Sequence, residues 1–242
     1  DADHPYQKRI TENPRLEADR DLRETQANYF GMITEVDTSL GLLFDALEAA
    51  GQWEDTVIVF SSDHGEYLGD HYLTGKGHFY DAGIHVPLIV RDPSAAADAT
   101  RGESLTGFVE SVDITPTILD LMGVEIPDRI QGKSLVPRVR GQASGGKAEV
   151  HFEKDFRHVP GIDPDLSLLW MVRDDDYKYV QFAEASIPPL LYDLRDDPCE
   201  LNNLSGSSDH QSVMLDYAQK LLRWRMQNED QRMEHWASQF KG

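Results

Sequence analysis

The chain has 242 residues, of which 40% are hydrophobic, so it is long enough for a core in one or two domains. Its 43 acidic residues outweigh its 23 basic residues, and the net charge of −20 argues against nucleic acid or an anionic membrane as a partner. No apolar run is long enough to span a bilayer, and the single cysteine excludes an internal disulfide. We expect a soluble protein in the cytoplasm or the periplasm, two compartments that the sequence does not separate.

The first 18 residues are polar, contain Pro5 and Pro14, and indicate an irregular leading segment. From residue 19 to residue 50, apolar side chains recur with a helical period, and Gly51 is placed to end the helix. A helix, a short turn and a strand near residue 56 together form one α/β unit.

Residues 56–62 are almost continuously apolar, which is typical of a buried parallel strand, and a second such run covers residues 86–90. In open α/β sheets, ligands bind beyond the carboxyl ends of the strands, where Asp63 and His64 fall. An adjacent carboxylate and imidazole at a strand end make a credible pair of metal ligands. Gly65 follows them, where the chain must turn.

Lys76 stands between Gly75 and Gly77 in the polar stretch that follows. A lysine in such a loop suits an anionic substrate as a point charge, although most lysines are simply solvated. His78 is a candidate proton donor to a leaving group. The alternative, supported equally by the sequence, is a loop histidine that only forms a local hydrogen bond.

Residues 62–76 read Ser-Asp-His-Gly-Glu-Tyr-Leu-Gly-Asp-His-Tyr-Leu-Thr-Gly-Lys and resemble the second metal-binding motif of the sulfatases, in the alkaline phosphatase superfamily. Within that group they are most similar to the phosphonate monoester hydrolases, which share the Asp-His pair and the Gly-Lys ending. The resemblance implies that Asp63 and His64 bind the metal. It also implies that Lys76 contacts the phosphoryl or sulfuryl oxygens of the substrate. Asp81 stands where many sulfatases have Glu, and His85 where they have Arg.

The implied cofactor is a divalent metal: Mn, Zn, Fe or Ca. An imidazole ligand favours the first three, because Ca²⁺ prefers oxygen ligands. Sulfatases use as nucleophile a formylglycine made from cysteine in a Cys-x-Pro-x-Arg or Cys-x-Ala-x-Arg motif. Cys199 is followed by Glu200-Leu201-Asn202, so it is not that residue, and we expect a partly buried, inert thiol.

No stretch supplies the nucleophile motif or the family's first metal-ligand cluster. The chain therefore resembles the C-terminal half of such an enzyme, and the formylglycine is expected in the absent N-terminal half.

Downstream, residues 112–123 predict a helix capped by Asp113 and ended by Gly123. The composition of residues 141–146 marks a domain boundary. Four short strands follow at residues 148–152, 168–173, 177–182 and 190–194, as in an antiparallel meander, and a helix covers residues 213–236. Residues 191–204 resemble the sulfatases' C-terminal signature.

The predicted fold is α/β. Residues 1–140 form the C-terminal portion of an alkaline-phosphatase-like sheet domain, and residues 141–242 form a smaller α+β subdomain with an antiparallel sheet and a terminal helix.

The sequence thus predicts part of a metal-dependent hydrolase of sulfate esters, or of phosphonate or phosphate mono- and diesters, whose substrate is a small anionic ester. This chain alone is expected to be inactive, and the full-length protein is expected to be a homo-oligomer. The alternatives are a non-catalytic module of the same fold and another superfamily member, such as a nucleotide pyrophosphatase.

Overall fold

Two compact units make up the chain, one formed by residues up to Ala148 and the other by residues from Glu149 onward. The computed structural model describes residues 4–11, 19–158 and 164–228. In chain order, the helices and strands of the first unit are α1 (Pro5–Thr11), α2 (Asp19–Ala49), β1 (Ile58–Ser61), α3 (Asp81–Ile84), β2 (Leu88–Arg91), α4 (Ile114–Leu121) and α5 (Val136–Val139).

The leading segment is not wholly irregular, because α1 occupies part of it. Tyr6 on this helix is buried, with 2% of its surface exposed. Burial of an aromatic ring stabilises a helix that polar composition alone does not predict.

Helix α2 confirms the predicted helix and its end. Gly51 has a φ of +67°, which glycine adopts without cost, and its N–H donates to the carbonyl of Glu48. Gln26 near the start of α2 donates to the carbonyl of Leu68 (2.9 Å), and Phe44 near the end packs edge-on against Trp53. Residues 30–39, between these two anchors, are exposed on every side.

Strands β1 and β2 pair antiparallel, with Ile58 opposite Arg91 and Ser61 opposite Leu88. The expectation of a buried parallel strand is therefore wrong, and β1 is only half-buried. A parallel pair needs a crossover of a dozen or more residues that carries the chain back to the starting end. Here the chain returns antiparallel beside β1 instead, and the Gly65 N–H donates to the Gly83 carbonyl at 2.9 Å within the connection.

The predicted helix near residue 112 is present as α4, but Asp113 does not cap it with its side chain. A preceding 3₁₀ turn already gives Asp113 helical backbone angles, whereas a capping residue is usually extended. The buried carboxylate accepts instead from the N–H groups of Glu110 (2.9 Å) and Lys133 (2.8 Å), and it pairs with the Lys147 ammonium at 2.9 Å. Asp113 thereby ties three segments of the unit together.

The second unit is the predicted meander with a helix on it. Strands β3 (Val150–Asp155), β4 (Leu168–Arg173), β5 (Tyr177–Phe182) and β6 (Leu190–Asp193) form one antiparallel sheet in that order. Helix α6 (Gln211–Asn228) packs its buried Tyr217 and Leu221 against Val172, Tyr179 and Leu191 of the sheet. The part of the predicted helix beyond residue 228 lies outside the described residues.

None of the helices in residues 4–11, 19–158 and 164–228 is both long and apolar enough to cross a lipid bilayer.

We expect acid to weaken the second unit through Asp174, in the turn between β4 and β5. Burial alone would raise the pKa of Asp174, but hydrogen bonds from Lys220 and Tyr217 (2.5 Å each) outweigh it and hold the pKa below its usual value. A carboxylate with a lowered folded-state pKa stabilises the fold above its unfolded pKa of about 3.9. That stabilisation is lost as the pH falls from about 4 through the folded-state pKa.

Urea unfolding of the wild type and of Asp174→Asn between pH 6 and pH 2 measures this effect. The substitution should cost about 2 kcal/mol at pH 6 and almost nothing in strong acid. Asp175→Asn, at the exposed neighbouring position of the same turn, is the control and should leave the pH dependence unchanged. An equal cost of Asp174→Asn at both pH values would contradict the assignment.

Candidate metal and anion site

Asp63 and His64 follow β1 almost directly, and their side chains converge. The His64 Nε2 lies 3.5 Å from the Asp63 Oδ2, while the backbone N–H of His64 donates to the Asp63 Oδ1 at 3.1 Å. The Asp63 side chain is 81% exposed and the His64 side chain 35% exposed, so both donors are open to an ion from solvent. The structure thus brings together the two residues proposed as metal ligands.

The other ring nitrogen of His64 fixes its tautomer. Nδ1 lies 2.7 Å from the Gly65 carbonyl oxygen. Because a carbonyl can only accept, Nδ1 carries a proton, and whenever the ring has one proton its lone pair is on Nε2, beside the Asp63 carboxylate. Histidines that bind metals usually donate their second ring N–H in this way.

The spacing of the two donors also suits a shared cation. Two donors about 2.1 Å from one cation, at a tetrahedral angle, lie about 3.4 Å apart, close to the separation of Nε2 and Oδ2. Within residues 4–11, 19–158 and 164–228, no group of three or more His, Cys, Asp or Glu side chains is placed to hold a metal. The described part of the chain therefore offers two ligands that fit a divalent ion, and a complete site needs more.

Gly65 allows α3 to approach the site closely. A Cβ at Gly65 would lie 2.1 Å from the backbone oxygen of Ala82, far inside van der Waals contact. Only glycine allows the strand end and α3 to meet here, so the position of His64 depends on Gly65.

Glu66 ties the loop that carries Lys76 back to the metal pair. Its carboxylate accepts from the N–H of Gly75 at 2.5 Å, and the Tyr67 N–H donates to the Gly75 carbonyl at 3.3 Å. Gly75 and Gly77 both have positive φ, at +77° and +107°, so Lys76 is presented between two turn glycines. The side chain of Lys76 is exposed and forms no ion pair with the described part of the chain. Its ammonium group is thus available to an anion.

Residues before Lys76 hold the same loop in an uncommon conformation. Leu68, His71 and Tyr72 all have positive φ, which is rare outside glycine. The His71 ring stacks on Tyr80 with centroids 3.6 Å apart. Strained backbone of this kind persists where surrounding contacts over-determine it, and it clusters at functional sites.

His78 has a partner that the sequence did not reveal. Its Nδ1 lies 2.5 Å from the hydroxyl oxygen of Tyr6 on α1, 72 positions away in the chain. Two tyrosine rings, Tyr6 and Tyr67, each pack edge-on against the imidazole at 5.7 Å. A tyrosine in a polar leading segment gives no signal of such a role.

Cys199 is exposed, not partly buried as expected. It follows Pro198 in an exposed turn after β6, where its side chain has no core to enter. Among the histidines outside the site, His151 stacks on Trp224 at 4.4 Å in the second unit, which is a packing contact.

Family models match most of the chain. The sulfatase model matches residues 1–124, and the model described as N-sulphoglucosamine sulphohydrolase, C-terminal, matches residues 69–227. The multifunctional alkaline phosphatase superfamily protein PehA of Trinickia caryophylli is 41% identical over 231 residues, which cover 92% of this chain and 44% of that protein. Arylsulfatase K of Xenopus laevis is 33% identical and aligns with 78% of this chain and 35% of its own length.

Solved structures show the same fold. The phosphonate monoester hydrolase of Agrobacterium radiobacter superposes with a TM-score of 0.79 at 42% identity, over 87% of this chain and 43% of that chain. The chain thus spans less than half the length of each of these three relatives.

Proposed function

The chain belongs to the sulfatase family, and from that premise we propose that it is part of a larger metal-dependent hydrolase. The proposed substrates are sulfate esters, or phosphonate or phosphate mono- and diesters. The observation that carries the proposal is the pair of donor atoms on Asp63 and His64, 3.5 Å apart beside a loop that presents an exposed lysine.

Each side chain has a proposed task. Asp63 and His64 would hold one divalent ion, Mn, Zn, Fe or Ca, and a bound ion of this kind polarises the oxygens of an anionic ester. Lys76 would contact those oxygens and offset the negative charge that builds up in the transition state. His78 would donate a hydrogen bond to the leaving-group oxygen of the substrate. Since the chain carries a net charge of −20, attraction of an anion must be local to these groups.

We propose that the nucleophile, a formylglycine in a sulfatase, belongs to an N-terminal half of the full-length protein. Exposed apolar side chains support the proposal that a further protein segment covers α2, because Phe30, Ile33 and Val36 are 59%, 50% and 51% exposed. Large apolar surfaces of this kind usually contact another protein segment. In the whole protein, residues 1–140 would complete the catalytic α/β domain and residues 141–242 would form its C-terminal subdomain. The complete enzyme would be a homo-oligomer.

A comparison of the 242-residue chain with the full-length protein tests this function. The chain alone should show no turnover, whereas the full-length protein should hydrolyse an aryl sulfate or a phenyl phosphonate ester and contain a divalent metal. Relative rates on the two esters assign the substrate class. Saturable hydrolysis by the purified chain that disappears in Asp63→Ala would overturn the assignment of the nucleophile to another segment. A full-length protein that is metal-free and inactive on both esters would identify a non-catalytic module.

A further inference from the structure

The hydroxyl group of buried Tyr6 contacts the Nδ1 side of the His78 imidazole. The hydroxyl oxygen lies 2.5 Å from Nδ1, and the Tyr6 ring stands at 77° to the imidazole. The backbone N–H of Tyr6 in turn donates to the Nδ1 of buried His4 at 3.2 Å, and the Tyr6 ring packs on Phe79 at 5.3 Å. The hydroxyl is therefore held in place by both the backbone and the ring of its own residue.

The chemistry of the two groups sets the direction of this hydrogen bond. Burial raises the pKa of Tyr6 well above its usual value, with the neighbouring phenols of Tyr80 and Tyr67 adding to the effect, so the hydroxyl keeps its proton. A phenol is a stronger hydrogen-bond donor than acceptor, and the unprotonated nitrogen of a neutral imidazole is a good acceptor. These preferences favour donation from the Tyr6 O–H to Nδ1, and a neutral His78 ring then carries its proton on Nε2.

We propose that Tyr6 is a positioning residue that holds His78 as the neutral Nε2–H tautomer, so that His78 offers a fixed hydrogen-bond donor to an oxygen of the anionic ester. The identity of that ligand rests on the proposed function. His78 then acts as a neutral electrophile two positions from Lys76 and not as an acid that releases its proton. Such a donor stabilises negative charge on oxygen without changing its own protonation state.

Nitrogen NMR of the ¹⁵N-labelled 242-residue chain reads the tautomer directly. The His78 signals are assigned by their loss in His78→Gln. In the wild type, Nε2 should appear protonated and Nδ1 unprotonated. In Tyr6→Phe the ratio of the two tautomers should fall by about threefold to tenfold, which corresponds to the loss of one hydrogen bond. An unchanged ratio in Tyr6→Phe, or a wild-type ring protonated at Nδ1, would refute the proposal.

Tyr67→Phe is the matched control, because the Tyr67 ring meets the imidazole at the same 5.7 Å and 77° as the Tyr6 ring. It removes the hydroxyl of a second phenol that packs on His78 and should leave the tautomer ratio as in the wild type. A Tyr67→Phe variant that shifts the ratio as much as Tyr6→Phe would count against a specific role of Tyr6.

A double-substitution cycle in the full-length protein adds a kinetic readout. Tyr6→Phe and His78→Gln should each lower kcat/KM, by about threefold to tenfold for the former. The double variant should be no slower than His78→Gln alone, because Tyr6 acts through His78. Fully additive losses would show that Tyr6 acts independently and would overturn the proposal. If the full-length protein hydrolyses nothing, the proposed function fails, whereas the tautomer measurement still decides whether Tyr6 controls His78.

Discussion

Replacing Asp63 by alanine in the full-length protein should remove both the bound metal and the hydrolytic activity. A metal that polarises the ester contributes several kcal/mol to the transition state, and each 1.4 kcal/mol is a factor of ten in rate. We therefore expect kcat/KM to fall by about 10³-fold or more, together with a loss of metal measured by elemental analysis. The effect should be large because the exposed carboxylate supplies one of only two donors that the described residues bring together.

Two further variants separate the loss of a ligand from a change in shape. Asp63→Asn keeps an acceptor for the His64 N–H but removes the charge, so it should also weaken metal binding while leaving the thermal midpoint unchanged. Asp70→Ala removes another exposed carboxylate from the same loop and should retain the metal and activity within about threefold. Full metal content in Asp63→Ala would exclude Asp63 as a ligand.

Breaking the buried ion pair of the second unit should have the largest effect on stability. Lys178 on β5 is fully buried, and its ammonium group contacts the carboxylate of Glu200, whose side chain is 3% exposed. Lys178→Met leaves that carboxylate buried without its cation, which typically costs about 3–5 kcal/mol. Since whole domains are stable by only about 5–15 kcal/mol, the second unit should be close to unfolding at 25 °C. Denaturant titration followed by tryptophan fluorescence measures the change.

The double variant Lys178→Met, Glu200→Gln separates the cost of an uncompensated buried charge from the cost of changing the two side chains. Removing both charges avoids an uncompensated buried ion, so most of the lost stability should return. Asp155→Asn provides the surface comparison, because Asp155 and Arg157 form an ion pair in which both side chains are nearly half exposed. It should barely alter the unfolding midpoint. If Lys178→Met is as mild as Asp155→Asn, the buried pair does not stabilise the unit.

Local patterns in the sequence were sufficient to predict the meander and both long helices. Four short strand-like runs predicted the order of β3 to β6, and Gly51 predicted the end of α2. The direction of β1 could not be predicted in this way. An apolar run has the same composition in a parallel and an antiparallel pair, and the Gly65–Gly83 hydrogen bond within the connection has no local signal.

In the candidate site, too, local sequence identifies the residues but not the tertiary contacts between them. Asp63, His64 and Lys76 are visible in the sequence because they fall within one short motif, and their roles stay predictions. The contacts that shape them are less visible, since the Glu66–Gly75 hydrogen bond crosses a loop and Tyr6 reaches His78 from another helix. Spacing predicts which groups share a motif, whereas tautomers and ring orientations depend on tertiary neighbours.

The exposed middle of α2 should make the purified chain locally unstable and sensitive to proteases. Residues 30–39 are exposed on every side, and Gly31 among them costs a helix about 1 kcal/mol relative to alanine. Because residues 30–39 pack on no other segment among residues 4–11, 19–158 and 164–228, this span should open as a separate unit while the two anchored ends stay closed. Within α2, deuterium exchange should therefore be fastest at these amides. A protease at low dose should first cut α2 there, which leaves Gln26 on one fragment and its hydrogen-bond partner Leu68, with Phe44, Trp53 and Lys76, on the other.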